Sequence, residues 1–218
     1  MLQLYAHPFS SYCQKVLIAL YEHGTPFALR QLNFDDAAVI GEWAALWPIR
    51  RMPLLVDDGR TVMESSIIIE HLDLHHPGPA RLLPGAPEAA LEVRMLDRIF
   101  DHYVMTPLQK LVFDRMRPEG ARDPHGVADA QTLLDTSYAW IDRHMAGRQW
   151  AAAGVFSLAD CAAAPALFYA DWVRPIPPEH AHLRAYRARL LERPSYARAV
   201  EEARPHRGLF PGGAPDRD

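Results

Sequence analysis

Hydrophobic residues in the first 80 positions alternate between strand-like and helix-like spacing. Strand spacing repeats every second residue, whereas helix spacing repeats every three to four residues. In chain order the pattern predicts a strand over residues 2–6, a helix over 13–22, a strand over 27–32, a helix from 35, a hairpin of two strands over 54–63 and a helix from 65 to about 75. Gly24 is expected to end the first helix as a C-terminal cap, and Ser65 to cap the last one. The predicted order is therefore βαβαββα.

The rest of the chain shows helical spacing only. Prolines and glycines between residues 77 and 87 predict a linker. Further helices are marked by apolar residues within 91–100, 134–145, 156–172, 183–191 and 196–203. Residues 211–215 are rich in proline and glycine, and we expect them to be disordered. The pattern thus predicts an α/β domain over residues 1–80 and an all-helical domain over residues 87–210.

The composition limits the classes of function. The 218 residues are 49% hydrophobic and carry a formal charge of −4, so they lack the basic excess that nucleic-acid binding needs. No apolar run approaches the roughly 20 residues that cross a bilayer, and the start of the chain has no secretory pattern. Cys13 and Cys161 lie far apart in the sequence. We therefore expect a cytoplasmic protein that binds neither nucleic acid nor membranes.

The first candidate site is the loop of residues 7–16, between the first strand and the first helix. The first N–H groups of a helix have no partner within it, so they favour an anion placed there. Ser10-Ser11-Tyr12-Cys13 has the spacing of a redox Cys-x-x-Cys motif with serine in place of the first cysteine. A serine hydroxyl can donate a hydrogen bond to a bound thiolate. The alternative is that Ser10 and Ser11 only cap the helix.

Two further segments flank the predicted hairpin. Arg51, Met52 and Pro53 precede it, and Glu64 and Ser65 follow it. If the Met52–Pro53 bond is cis, the Met52 backbone would be offered at the sheet edge to an extended peptide. Ser65 at a helix start can hold a carboxylate and Glu64 an ammonium group, the two charged groups of an amino-acid head. A trans proline and ordinary helix capping are the alternatives.

These three segments, in this order, resemble the cytosolic glutathione transferases, in particular the serine-type, zeta-like and theta-like members. The matching residues are S-S-Y-C at 10–13, R-R-M-P-L-L at 50–55 and E-S-S-I-I-I-E-H-L at 64–72. In the helical half, residues 156–160 resemble the family's capping box, in which Ser157 and Asp160 would cap reciprocally. The resemblance implies a thioredoxin-like N-terminal domain, a helical bundle after it, and glutathione as co-substrate.

The resemblance also implies roles for single residues. Ser10 matches the catalytic serine, and Ser11, one step away, could share that role. The implied glutathione-binding residues are Ser10, Arg51, Met52, Pro53, Glu64 and Ser65. Arg51 would reach the glycyl carboxylate, Met52 would pair with the cysteinyl unit through its backbone, and Pro53 would be the cis-proline. Glu64 and Ser65 would hold the γ-glutamyl group.

One residue in this loop departs from the family pattern. Arg50 replaces the glycine that is common before Arg51, so we expect a different loop shape there.

The walls of an electrophile pocket are not marked by a motif. The expected wall residues are Phe9, Tyr12, Tyr103, Phe113, Phe168 and Trp172. Aromatic residues at helical spacing are more often core, so we expect at most half of them to line the pocket. Cys13 is expected to be a small buried residue.

The histidines near residue 75 are a candidate metal site. His71 and His75 have the i, i+4 spacing of a metal pair, with His76 beside them, but spacing places no third ligand. We therefore expect no metal site.

The function predicted from this pattern is a glutathione transferase, whose bound thiolate attacks apolar electrophiles. One alternative is a glutathione-dependent isomerase or dehalogenase on the same scaffold, and another is thiol–disulfide exchange through Cys13. A third is a non-catalytic binding or regulatory module. The resemblance further implies a homodimer, formed through the helices that start near residues 65 and 89.

Overall fold

A computed structural model describes residues 1–33, 35–79 and 81–218 of the chain. The strands are β1 Gln3–Ala6, β2 Ala28–Gln31, β3 Leu54–Asp57 and β4 Arg60–Met63. The helices are α1 Ser11–His23, α2 Ala37–Leu46, α3 Ser65–His75, α4 Pro87–Ile99, α5 Thr106–Arg115, α6 Pro124–Met145, α7 Leu158–Val173, α8 Ala181–Glu192 and α9 Pro194–Ala203. The predicted βαβαββα order, followed by helices, is confirmed. The predicted domain boundary at residue 80 lies outside the described residues.

The sheet has the strand order β2-β1-β3-β4. β1 runs parallel to β2 and antiparallel to β3, and Leu4 pairs with Leu29 on one side and Leu55 on the other. Leu4 and Leu55 are fully buried beneath α1 and α3, so the inward-facing side of the sheet forms part of the main core. This is the mixed sheet of a thioredoxin-like domain. It brings the end of β1 and the starts of α1 and α3 to one edge.

Two helices begin or end at the capping residues that the sequence predicts. α1 ends at Gly24, whose φ of 65° suits glycine, and the Gly24 N–H donates to the Tyr21 carbonyl at 3.2 Å. α7 begins with the predicted capping box, in which the Ser157 N–H donates to Asp160 at 2.9 Å. Asp160 also accepts from the Tyr186 hydroxyl at 2.6 Å. Burial raises the pKa of the Asp160 carboxyl to about 6, although these hydrogen bonds act in the opposite direction.

The helix predicted over residues 91–100 continues through a wider π-helical turn, Phe100–Met105, into α5. Pro107 explains the wide turn, because proline has no N–H to donate and its ring crowds the preceding carbonyl. The Thr106 N–H and hydroxyl both reach back to the Asp101 carbonyl, the hydroxyl at 3.1 Å. The wide turn contributes Asp101 and His102 to a cavity described below.

The C-terminal tail is ordered against the helical domain, so the prediction of disorder over residues 211–215 is wrong. Phe210 is buried, Arg217 donates to the Asp171 carbonyl at 2.7 Å, and Asp218 pairs with Arg204 at 2.9 Å. These contacts are made by charged and aromatic residues on either side of the proline–glycine stretch. They hold the stretch in place although its own composition is typical of disorder.

Among the described residues, the helices are too short or too polar for any of them to cross a membrane.

Candidate active site

Ser10 is the residue before α1, where its backbone is extended, with φ −84° and ψ 125°. Its N–H donates to the His7 carbonyl at 3.0 Å, and its carbonyl accepts from the Gln14 N–H at 2.9 Å. Within the described part of the chain, its side chain accepts no hydrogen bond from the first turn of α1. Helix capping therefore does not occupy the Ser10 hydroxyl.

A cavity of about 490 Å³, here called the polar cavity, lies against the starts of α1 and α3 and the loop before β3. It brings together all the residues predicted to bind glutathione, namely Ser10, Arg51, Met52, Pro53, Glu64 and Ser65. Arg98, Asp101 and His102 line it as well, and the pattern analysis missed them. Cations and carboxylates therefore face one space, which suits a ligand that carries both signs of charge.

The loop before β3 has a cis Met52–Pro53 bond, so the trans alternative is wrong. Arg50 has a φ of 55°, in the left-handed region that favours glycine. Arg50 thus takes a backbone conformation in which a glycine is favoured, directly before Arg51. Arg51 follows it as an exposed cation at the mouth of the polar cavity.

The start of α3 differs from the prediction by one residue. Glu64 precedes the helix with a φ of 69°, and Ser65 is the first helical residue and not its cap. The unusual backbone at Glu64 turns the chain sharply from β4 into α3. The N–H groups of Ser65 and Ser66 consequently lie in the first turn, where helix geometry gives them no intrahelical partner. Such a helix start favours a carboxylate.

A buried ion cluster lies behind the polar cavity. Lys15, only 1% exposed, places its ammonium nitrogen 2.5 Å from Asp97, 2.9 Å from Asp101 and 2.9 Å from the Ser66 hydroxyl. Arg98 closes the cluster from the solvent side and donates to Asp101 at 2.8 Å. Burial raises the pKa of the Asp101 carboxyl, and the Lys15 charge offsets part of that rise. The cluster joins α1, α3 and α4 directly beneath the candidate site.

This cluster was not predicted from the pattern of residues, although the sequence carries a signal for it. Lys15 is one of two lysines in the chain and lies among buried apolar residues of α1. Asp97 and Asp101 are four residues apart on the buried side of their segment. Buried charges at helical spacing are rare unless they are paired.

A second cavity of about 290 Å³, here called the apolar cavity, lies between the first loop, α5 and the C-terminal tail. Of the predicted wall residues, Phe9, Tyr12 and Phe113 line it. Met105, Leu108, Val112 and Met116, at helical spacing, line it too, as do residues 209–211 of the tail. The helical spacing of the apolar residues in and beside α5 could have predicted these four wall residues. The tail residues carry no such signal.

Tyr103, Phe168 and Trp172 do not line the apolar cavity, which leaves three of the six expected wall residues around it, within the expected half. Tyr103 is half-exposed on the π-helical turn. Phe168 and Trp172 are buried with ring centroids 4.8 Å apart. They lie on α7, which is buried over most of its length, so its aromatic side chains pack behind Phe9 and form core.

The two cavities meet at the start of α1. Ser10, Tyr12, Gln109 and Phe113 line both, whereas Ser11 lines only the apolar cavity. Burial raises the pKa of the Tyr12 phenol, so it stays neutral. Ser10 is therefore the serine that can reach a ligand in either space.

Cys13 lies beside this junction but inside the core. It is fully buried, and burial raises the pKa of its thiol to about 11. It is the small buried residue expected from the sequence.

The chain thus combines a thioredoxin-like domain with a helical domain, and the candidate site lies between them. Residues 4–80 match the family model of the glutathione S-transferase N-terminal domain. Residues 124–189 match the model of the C-terminal domain. A crystal structure of a glutathione S-transferase from Methylobacterium radiotolerans, in complex with glutathione sulfonate, is 31% identical. The match covers 91% of this chain and 94% of that one, with a TM-score of 0.79. The chain belongs to the glutathione S-transferase family.

Two relatives with other names also match. The stringent starvation protein A homolog of Coxiella burnetii is 26% identical, and the match covers 93% of each chain. The maleylacetoacetate isomerase of Mus musculus is 32% identical, and the match covers 50% of each chain. Family membership alone therefore does not determine the reaction.

Proposed function

We propose that this protein is a glutathione transferase that ionises the thiol of bound glutathione and directs it at apolar electrophiles. The observation that carries this proposal is the position of Ser10. Its hydroxyl is free of helix capping and lies where the polar cavity meets the apolar cavity. A sulfur atom held there would face the second reactant directly.

The polar cavity offers a candidate partner for each group of glutathione. The start of α3 would take the γ-glutamyl carboxylate, and Glu64 with Asp101 would take the ammonium group. The Met52 backbone would pair with the cysteinyl unit as an added strand. Arg51 would take the glycyl carboxylate. The Methylobacterium radiotolerans relative, which holds glutathione sulfonate, supports this choice of ligand.

The chemistry then needs only two contributions from the protein. The Ser10 hydroxyl donates a hydrogen bond to the thiolate, and the start of α1 adds a favourable field for the negative charge. The thiolate sulfur forms a bond to the electrophilic carbon, and the leaving group departs with its electron pair. Binding both reactants side by side supplies the rest of the acceleration.

Calorimetric titration with glutathione, followed by an assay with a halonitrobenzene, tests the proposal. We expect saturable binding of one glutathione per chain and formation of the thioether. Glutathione binding without turnover of any electrophile would favour a non-catalytic module. The Coxiella burnetii relative, named as a stringent starvation protein, keeps that alternative open.

An isomerase on the same site is the second candidate, favoured by the match to the mouse maleylacetoacetate isomerase. The thiolate would then add to the substrate and leave again after rotation about a bond. Assays with maleylacetoacetate-type and haloacid substrates, beside the aryl halide, separate these reactions. The burial and raised pKa of Cys13 disfavour thiol–disulfide exchange, and we expect no glutathione adduct on Cys13 by mass spectrometry.

We also propose a homodimer formed through α3 and α4. Ile67 and Leu74 are exposed on α3, and Leu91 and Met95 on α4. A salt bridge of 2.8 Å between Glu70 and Arg94 joins the same two helices, so their exposed faces adjoin. The two pairs form one apolar surface that a partner subunit would cover.

We expect Leu91→Arg to dissociate this dimer. A charge in place of Leu91, 62% exposed in the single chain, would be buried without a partner at the interface. The dissociation constant should rise by about 100-fold or more. Light scattering after size exclusion measures the mass. Leu133→Arg, on the exposed side of α6, is the matched control and should remain dimeric. A monomeric wild-type protein would contradict the proposal.

A further inference from the structure

Three side chains converge at the far end of α3, away from the candidate active site. Asp57 ends β3, His71 lies in the last two turns of α3, and His76 follows the helix. The Nε2 atoms of both histidines are 2.8 Å from the same oxygen, Oδ2 of Asp57. His71 is buried, Asp57 is mostly buried, and the His76 side chain is 30% exposed. The three potential ligand atoms lie within 4.8 Å of one another.

We propose that Asp57, His71 and His76 bind one divalent transition ion of the zinc type. Two imidazole nitrogens and a carboxylate oxygen are a donor set that such ions prefer. Without an ion, two ring N–H groups point at one oxygen. With an ion, the two Nε2 lone pairs and the carboxylate oxygen would point at the metal instead.

The two nitrogen-to-oxygen separations need only a small adjustment, and the two histidine nitrogens lie within 4.8 Å of each other. Ligand atoms at about 2.0–2.1 Å from a tetrahedral ion lie about 3.4 Å apart. The present separations of 2.8 Å between Asp57 Oδ2 and each Nε2 must therefore open by roughly half an ångström. On binding, each Nε2 would give up its proton to water so that its lone pair faces the ion, and Nδ1 would carry the N–H of the ligating imidazole. Water would complete the coordination, and the exposed ring of His75 lies 4.4 Å from that of His71.

The site would join two segments that the chain otherwise connects only through β4 and α3. Asp57 is 14 residues before His71 and 19 before His76. The packing of α3 against the hairpin brings them together, which is why residue spacing alone placed no third ligand. An unfolded chain does not hold these residues together, so an ion bound here stabilises the folded state.

Metal titration of tag-free protein, first treated with a chelator, tests this proposal. Glutathione is left out because its thiol binds metals itself. Co²⁺ should give a saturable visible absorption at one ion per chain, and Zn²⁺ should displace it. At a Zn²⁺ concentration 100 times its dissociation constant, the thermal midpoint should rise by about 5 °C or more.

Variants assign the binding to these residues. His76→Gln and Asp57→Asn should each weaken Co²⁺ binding by at least tenfold. His125→Gln, which changes an exposed histidine on α6, is the matched control and should bind like the wild type. His76 lies outside α3 and is partly exposed, so its replacement leaves the fold intact. The proposal is overturned by the absence of saturable Co²⁺ absorption, or by binding that survives both variants.

Discussion

The Ser10→Ala variant is expected to lose about 10- to 150-fold in kcat for aryl-halide conjugation at neutral pH. The range follows from the hydrogen bond that the Ser10 hydroxyl would donate to the thiolate, because a bond to a charged group contributes about 1.5–3 kcal/mol. The affinity for glutathione should change little, since in the proposed binding mode other residues of the polar cavity would hold the ends of the tripeptide.

The pKa of the bound thiol provides a direct measurement of the same effect. A free thiol ionises near pH ~8.5, and we expect the wild-type complex to lower this pKa by about two units. The thiolate forms as the pH rises through that value, so the rate should rise with pH and level off above it. In Ser10→Ala both the ultraviolet titration and the pH–rate profile should move back towards the free value. A wild-type thiol pKa no lower than that of free glutathione would exclude this mechanism.

Ser11→Ala is the matched control for these measurements. Ser11 is adjacent in sequence and also carries a hydroxyl, but it lines only the apolar cavity. We therefore expect this variant to keep most of its kcat and the lowered thiol pKa. Loss of activity in Ser11→Ala with retention in Ser10→Ala would show that the catalytic role belongs to Ser11.

The second large effect is expected from Lys15→Met. Methionine fills a similar volume but removes the buried cation between Asp97 and Asp101, whose side chains are 2% and 8% exposed. Breaking a buried ion pair from one side costs about 3–5 kcal/mol, since the remaining charges stay out of water. For a chain of this size the thermal midpoint should fall by about 6–20 °C.

The loss of stability should depend on pH in a definite direction. Burial already raises the pKa of Asp101, and removing Lys15 removes the charge that lowers it. The native state of the variant will then keep a proton that the unfolded chain has already released. Because the folded pKa lies above the unfolded one, the variant becomes less stable as the pH rises between the two values. Denaturant unfolding at pH 5 and pH 7 measures this, and the larger deficit is expected at pH 7.

The chain offers a matched control in its only other lysine. Lys110 pairs with Asp123 at 2.5 Å, but on the surface, where both side chains are substantially exposed. Exposed pairs contribute about 0–1 kcal/mol, so Lys110→Met should leave the thermal midpoint nearly unchanged. Equal destabilisation by the two substitutions would show that the buried ion cluster contributes no more to stability than the exposed pair. Partial recovery in Lys15→Met combined with Asp101→Asn would support the electrostatic origin.

Much of the fold could be predicted because its signals are local. The spacing of apolar residues predicts α1 and the hairpin, Gly24 ends α1, and Ser157 with Asp160 starts α7. Each of these depends on residues only a few positions apart in the chain. The tail was predicted incorrectly for the same reason, since its order comes from distant ion pairs such as that of Arg217 with Asp171.

The candidate site also has parts that could be predicted from the sequence and parts that could not. The motifs around Ser10, Pro53 and Glu64 could be found in the sequence because the resemblance to the glutathione transferases is carried by short segments. Their convergence on one cavity follows from the sheet order, which places the three segments at one edge. The apolar walls were predicted only in part, because helical spacing does not show which face of α7 meets a cavity.

The order of strands and helices and the choice of residues proposed to bind a tripeptide thiol are therefore readable from the chain itself, since periodicity, capping and loop chemistry act between near neighbours. Folding decides which distant residues meet. Lys15 reaches Asp101 across 86 positions, Asp57 meets two histidines at the end of α3, and Ser10 lies where two cavities join. Such contacts depend on how whole helices and strands pack against one another. The spacing of residues along one helix or strand does not determine that packing.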